Sequence, residues 1–457
     1  MNLDERLRNV AILGAAGKMG SGISLLMAQE IARVSLLPAN RPARHKLVLI
    51  DLNPEALDGL RTYIRTQSRK YAERMIIPLR ELYADRKDLV ENGDIIDEFV
   101  IHVESILQLE TDSAAAKNAH MVFEAIVENA DIKTKVYSAL ARECGPETFF
   151  FTNTSSIPIG LLDERSNLGG RLIGYHFYNP PAVQKLVELI SAKQTRADIQ
   201  QISYELAARL GKKIIPSHDI AGFIGNGHFM RDGLHAMAAA RELIEHNGLT
   251  QIEALYAMNK ISQDYLVRPM GIFQLMDYVG IDVFQLILKV MTQHIPGETL
   301  QDEWVDAMVM ANVIGGQYAD GSQKHGYLKY ERGKPVAVFD IEAKEYVPFD
   351  PAGWTGKVDQ LLGPLPAGHA PWKVLSRDNA RESKLVNYFS QLAATDTLGA
   401  ALARTYHIRS REIGLKLVAD GVADQAEHVN GVLLNGFFHV FGPINDYLPA
   451  STGRDSE

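Results

Sequence analysis

Residues 9–31 read NVAILGAAGKMGSGISLLMAQEI. A short apolar run ends at Leu13, glycines stand at Gly14, Gly17 and Gly20, and a helical run follows from Ile23. Strand, glycine turn and helix in that order open a doubly wound α/β sheet. Such a turn lets the backbone approach a pyrophosphate, and the helix N-terminus adds N–H donors and the positive end of its dipole. The spacing is G-x-x-G-x-x-G. Its place directly after a strand and before a helix makes Gly14, Gly17, Lys18, Met19 and Gly20 candidates for holding a dinucleotide.

Outward from this unit, β-like runs recur: KLVLID from Lys46, HMVFEAI from His120, TFFFTN from Thr148, RLIGYHF from Arg171, KLVELIS from Lys185 and KKIIPS from Lys212. Several are apolar almost throughout, as strands buried on both faces are. Helical stretches separate the early ones, so a Rossmann-type, mostly parallel sheet is expected. One stretch, Pro54 to about Asp97, is long, charged and without a strand, and predicts a helical hairpin. It carries Arg61, Arg65, Arg69, Lys70, Arg74 and Arg80.

After His218 helical spacing dominates, from Gly222 to about Asn312. A Gly- and Lys-rich linker, GGQYADGSQKHGYLKYERGKP, runs to Pro335, a loop-rich stretch continues to about Asp378, and helical periodicity returns from Glu382 to the end. The two helical regions look related. The first holds RELIEHNGLTQIEALYAM then VRPMGIFQLMDY; the second holds LKLVADGVADQAEHVNGV then HVFGPINDY. Each predicts a helix ending at Asn-Gly or Asp-Gly, a second helix, then a Pro/Gly turn and an Asp-Tyr pair, which is the pattern of a duplicated module. The expected division is 1–217, an α/β domain with its hairpin at about 54–97; 218–330, a first helical domain; and 331–457, a linker and a second helical domain.

The chain has 457 residues, 47 basic and 56 acidic, for a formal charge of −9. That balance argues against a general nucleic-acid binder, which needs Lys and Arg for phosphates. Cys144 is the only cysteine, so neither an intrachain disulfide nor a Cys-rich metal site is expected. The start, MNLDERLRNVAIL, lacks the apolar core of a signal peptide, and no apolar run approaches the length of a spanning helix. A cytoplasmic protein with no membrane partner and no metal is expected.

Chemistry concentrates at a few positions. Asp51 ends the second β-run, where a carboxylate accepts hydrogen bonds from the adenine ribose and repels the 2′-phosphate of NADP, which favours NAD. It lies 31 positions beyond Gly20, further than usual, and a Pro- and Arg-rich insertion at about Pro38 to His45 accounts for the excess. His176 and Glu188 are each six positions from Ala182. If the segment folds back there, the two meet across a strand pair, and a carboxylate on one ring nitrogen fixes the tautomer of a general base. Asn153-Thr154-Ser155-Ser156 closes another apolar strand, at the edge where open α/β sheets bind ligands. Asn226 stands where the helical region begins.

These stretches together resemble the 3-hydroxyacyl-CoA dehydrogenase family: LGAAGKMGSGIS, VFEAIVENADIKTK, FTNTSSIPI, IGYHFYNPPAVQKLVELI, DIAGFIGN and RPMGIFQLMDYVG, in order over Val10 to Gly280, about 60% of the chain. The resemblance implies NAD on the glycine loop with Asp51 at the adenosine ribose. It implies Glu128 and Lys133 near the nicotinamide ribose, with Asn153 and Asn179 nearby. His176 would take the 3-hydroxyl proton of a (3S)-3-hydroxyacyl-CoA as hydride leaves C3, giving the 3-oxoacyl-CoA. Glu188 would orient His176, and Ser155 and Asn226 would hold the reacting oxygen. The hairpin is where such proteins contact the CoA, with Arg69 and Lys70 as phosphate partners. The chain departs from the family pattern in one extra loop residue between its first glycines, in Gly227 after Asn226 where arginine is usual, and in the insertion before Asp51. Longer members carry a second helical copy, which implies either a homodimer or a monomer with an internal pseudo-dimer. The competing functions are oxidation of a free hydroxy acid on the same fold, and a non-catalytic NAD-binding homologue.

Overall fold

The computed structural model describes residues 1–318 and 321–449. The chain forms two compact units, Met1–Asp219 and Ile220–Glu457. Ala319 and Asp320 of the expected linker, and residues 450–457 of the expected second helical domain, lie outside the described residues.

The first unit contains β1 (Asn9–Leu13), β2 (Lys46–Ile50), β3 (Leu107–Glu110), β4 (Met121–Glu124), β5 (Phe149–Thr152), β6 (Leu172–Phe177), β7 (Leu186–Ser191) and β8 (Lys213–His218). Its helices are α1 (Leu3–Arg6), α2 (Lys18–Ser35), α3 (Pro54–Arg74), α4 (Ile76–Leu82), α5 (Asn92–Ser105), α6 (Ala130–Glu143), α7 (Ile159–Ser166) and α8 (Ala197–Arg209). The strands form one sheet in the order β3-β2-β1-β4-β5-β6-β7-β8. Pairing is parallel except between β6 and β7. Strands β4, β5 and β6 are buried at every residue, as their largely apolar runs require when helices cover both faces. The order reverses between β1 and β4, the switch point at which such sheets bind ligands.

Two expectations for this unit need correction. Strand β3 was not foreseen: it is a four-residue edge strand whose exposure alternates, so it lacks the apolar run that marks its neighbours. The excursion after β2 is three helices rather than a simple hairpin, and the last runs on to Ser105. Asn53 caps α3 by accepting the Ala56 N–H at 3.2 Å, and Pro54 occupies the first turn, where it loses no helical hydrogen bond. Leu57, Leu60, Ile64, Ser68 and Ala72 form the buried stripe of α3, which packs on α5.

The second unit contains α9 (Gly225–Asn247), α10 (Gln251–Lys260), α11 (Ile272–Val279), α12 (Ile281–His294), α13 (Glu303–Met310), α14 (Trp354–Leu362), α15 (Trp372–Leu375), α16 (Arg381–Ala394), α17 (Leu398–Ala419) and α18 (Ala426–Gly436). Here the linker reading fails. Residues 328–348 form a small antiparallel sheet, β9 (Leu328–Glu331), β10 (Lys334–Asp340) and β11 (Glu345–Pro348), in the order β11-β10-β9. Asp277, fully buried, holds it: its carboxylate accepts the N–H groups of Tyr327 (2.7 Å) and Leu328 (2.9 Å) and the Tyr330 hydroxyl (2.8 Å). Nor does helix run to the end, since the described chain after Gly436 is irregular.

The duplication is visible in matching details. Helices α9 and α17 end at Gly248 and Gly421, both left-handed, with φ of +67° and +71°. The Asn259 side chain accepts the Gln274 N–H and crowds Gly271, where a Cβ would lie 2.2 Å from it. Asn430 likewise accepts the Ile444 N–H and crowds Gly442, again to 2.2 Å. In each copy twelve positions separate asparagine and glycine. One apolar core runs through both copies.

A buried polar network crosses that core. Arg268 donates to Asp232 at 2.6 Å and to Ser410 at 3.2 Å, and the Tyr406 hydroxyl donates to Asp232 at 3.0 Å. Nearby, His407 is 2% exposed, and burial lowers it from 6.5 to about 4, with Asn445 opposing and Arg268 and Arg411 assisting. A folded value below the unfolded one means this stability is complete above pH 6.5 and is lost as pH falls toward 4, by about 3 kcal/mol at 1.36 kcal/mol per unit. Thermal melting is therefore expected to fall across that window, and less steeply in His407→Gln. Equal slopes would contradict the assignment.

Candidate active site

The glycine turn is built by close approach. Gly14 has φ +69°, and a Cβ on it would lie 2.5 Å from the Ala125 carbonyl oxygen beyond β4. A Cβ on Gly20 would lie 1.9 Å from the Gly14 carbonyl oxygen. Gly17 caps α2 without a side-chain bond, and the first turn, with Lys18 and Met19, holds no acidic residue. The N-terminal end of an 18-residue helix is thus left electropositive. Asp51 closes the turn: its carboxylate accepts the Ala16 N–H at 3.0 Å and the Asn53 N–H at 3.2 Å. These residues fit a dinucleotide, with bare backbone and a helix N-terminus for phosphates and a carboxylate beside them. Gly20→Ala puts a methyl into backbone that cannot yield; at about 1–3 kcal/mol, NAD affinity is expected to fall roughly 10–100-fold. Fluorescence titration with unchanged affinity would contradict this.

Next to it stands a buried charge cluster. Glu124, the last residue of β4, is fully buried, and its carboxylate accepts from the Lys133 amine (2.5 Å), the Ile126 N–H, the Tyr137 hydroxyl and the Thr152 hydroxyl (2.8 Å each). Asn129 caps α6 and so places Lys133 one turn in. The Lys133 amine also lies 3.5 Å from Glu128. Burial lowers the Lys133 amine, but Glu124 and Glu128 outweigh it and leave it raised. Burial likewise raises the Glu128 carboxyl, and Lys133, Thr154 and the Ser155 and Ser156 donors bring it below its usual range. Burial and Glu124 push the Tyr137 phenol far up.

Glu128 grips the 153–156 segment. One carboxylate oxygen accepts the Thr154 hydroxyl (2.6 Å), the N–H groups of Ser155 (2.9 Å) and Ser156 (3.1 Å), and the Ser156 hydroxyl (3.0 Å). Asn153 accepts the Phe177 N–H at 2.9 Å, tying this segment to the end of β6.

His176 and Glu188 are register partners in the antiparallel β6–β7 pair. His176 Nδ1 lies 3.2 Å from Glu188 Oε2, and Glu188 is fully buried. The fold-back read around Ala182 is therefore the geometry found. Tyr178 joins them, its hydroxyl donating to the same oxygen at 2.9 Å. Beyond it the Asn179–Pro180 peptide is cis. Pro181 sits against α2, where a Cβ on Gly22 would come within 2.8 Å of its ring. The Lys212 amine holds this loop by donating to the carbonyls of Pro181 (2.5 Å) and Gln184 (2.6 Å), and burial lowers it to about 8.

The first unit thus joins Asp51 to the glycine turn, Glu128 to Lys133 and Ser155, Asn153 to the end of β6, and His176 to Glu188, with Asn179 in the loop after Tyr178. Asn226 is in the second unit, the second residue of α9. Arg69 is tied to Asp97 across α3 and α5, and Lys70 is exposed. Glu124 and Tyr178 were not among the expected site residues. A charged residue inside the apolar run HMVFEAI was the available signal for Glu124. Tyr178 looks in sequence like one more aromatic of its run.

Residues 9–220 match the family model for the 3-hydroxyacyl-CoA dehydrogenase NAD binding domain, and residues 230–325 match the model for the C-terminal domain of the same family. The chain belongs to the 3-hydroxyacyl-CoA dehydrogenase family. It is an NAD-dependent oxidoreductase, and its first unit is the NAD-binding domain. Among relatives, it is 30% identical to the mitochondrial hydroxyacyl-coenzyme A dehydrogenase of Homo sapiens over 283 residues, 62% of this chain and 79% of that one. It is 31% identical to a probable 3-hydroxybutyryl-CoA dehydrogenase of Deinococcus radiodurans over 220 residues, 48% of this chain and 76% of that one. The crystal structure of 3-hydroxybutyryl-CoA dehydrogenase from Escherichia coli K12 covers 96% of this chain and 90% of its own, with a TM-score of 0.61 and 21% identity. At that identity the likeness is one of fold, and it extends across both helical copies. No described helix of this family member is long and apolar enough to cross a membrane.

Proposed function

We propose that the protein interconverts a (3S)-3-hydroxyacyl-CoA and the 3-oxoacyl-CoA, with His176 as general base and, in reverse, general acid. The observation that carries this is the His176–Glu188 pair, 3.2 Å apart with the carboxylate fully buried. A buried carboxylate on Nδ1 directs the lone pair of the other ring nitrogen outward and stabilises the imidazolium once it holds the hydroxyl proton. NAD, when bound, accepts the hydride from C3. The backbone of Gly14, Gly17 and Gly20 and the first turn of α2, with Lys18 and Met19, receive the pyrophosphate, and Asp51 receives the adenosine ribose.

In this reading Ser155 and Asn226 hold the oxygen that changes between hydroxyl and carbonyl. Glu128 and Lys133 serve the nicotinamide ribose side, with Asn153 and Asn179 beside them. Arg69 and Lys70 of α3 receive CoA phosphates. The proposed functional division is an NAD-binding part, 1–217, and two helical copies, 218–330 and 331–457, that share the core of the second unit. Among its described residues the second helical copy shows no buried histidine–carboxylate pair like that of the first unit, His428 meeting an exposed Asp424 at 3.8 Å; its part is to cover apolar surface of the first copy, which favours a monomer with an internal pseudo-dimer. The test is NADH formation from a 3-hydroxyacyl-CoA by the native enzyme and by His176→Gln. Equal rates would remove His176 from the mechanism.

A further inference from the structure

Glu188 serves two donors through one oxygen. Residues two apart on an extended strand share a face, so Tyr178, just past β6, lies on the same side as His176. Its hydroxyl is 2.9 Å from Glu188 Oε2, closer than His176 Nδ1 at 3.2 Å, and the two rings are 4.8 Å apart. We infer that Tyr178 is a positioning residue that tunes, through Glu188, how strongly the protonated form of His176 is favoured. This rests on the general-base role proposed above.

The physical reason is charge sharing. A carboxylate oxygen that accepts a neutral hydroxyl is stabilised as an anion and presents less negative potential to a second donor. Burial and Glu188 push the Tyr178 phenol far above its ordinary range, so it remains a donor at every working pH and its effect is constant. Among the groups that meet Glu188 are His176 from β6 and Tyr178 from the segment after it. On the β8 side its register partner is the apolar Ile215. The Lys212 amine is committed to the loop carbonyls of Pro181 and Gln184.

Tyr178→Phe removes the hydroxyl and keeps the ring against His176. In the full-length variant the acid-side midpoint of the kcat/KM pH profile is expected to rise by about half to one pH unit, with KM within twofold of native. The same rise is expected in an NMR titration of isotope-labelled histidine, with the His176 signal assigned by its loss in His176→Gln. A midpoint that stays or falls in both measurements overturns the inference, as does a raised KM with an unmoved midpoint, which makes Tyr178 a substrate contact. If His176→Gln keeps native activity, the general-base reading fails, and the NMR titration alone then decides the Tyr178 inference.

Discussion

His176→Gln is expected to lower kcat by about 10²–10⁴-fold, which is about 3–5 kcal/mol of activation free energy. Glutamine preserves volume and can donate to Glu188, but it cannot accept the substrate proton. The loss should therefore appear in kcat. NAD affinity, set by the turn at Gly14 to Gly20 and by Asp51, should stay within twofold. Steady-state kinetics and fluorescence titration of NAD separate the two. A variant that loses NAD affinity in proportion to its rate would show that the substitution disturbs the fold and not the proton transfer.

Lys133→Met is expected to have the largest effect on stability. The Lys133 amine and the Glu124 carboxylate are 2.5 Å apart, with 1% and 0% of their side chains exposed. Removing the cation leaves Glu124 charged inside the sheet with only neutral donors, Ile126, Tyr137 and Thr152. Breaking such a pair costs about 3–5 kcal/mol, or roughly 10 °C in melting temperature for a unit of this size. The double variant Glu124→Gln with Lys133→Met removes the uncompensated charge and is expected to melt higher than Lys133→Met alone. A double variant that melts no higher would locate the cost in packing. Because Glu128 meets Lys133 at 3.5 Å and grips the Ser155 segment, the single variant should also lose activity at temperatures where it is folded.

What the sequence revealed follows from how burial writes itself into it. The strands around the switch point are buried on both faces, so NVAIL, FFFT and LIGYHF stand out as largely apolar runs. The pairing of His176 with Glu188 was legible because antiparallel register is arithmetic about a midpoint. Strand β3 escaped because an edge strand needs burial on alternate residues only. The β9–β11 sheet escaped because its two outer strands, LKYE and EYVP, have only four residues each, because Pro335 interrupts the start of β10, and because its anchor, Asp277, lies some fifty positions away. Glu124 and Tyr178 show the limit of motif reading. Each matters through a shared carboxylate whose partners converge only in three dimensions.

The proposed reaction takes a hydride from C3 and a proton from the 3-hydroxyl of a CoA thioester. The most direct measurement is NAD reduction by the full chain with (3S)-3-hydroxybutyryl-CoA, its (3R) isomer and free 3-hydroxybutyrate. NADH is expected from the (3S) thioester, with the isomer and the free acid slower by at least about 100-fold, a discrimination of about 3 kcal/mol. Equal or faster turnover of the free acid, or no NADH from any 3-hydroxyacyl-CoA, would contradict it.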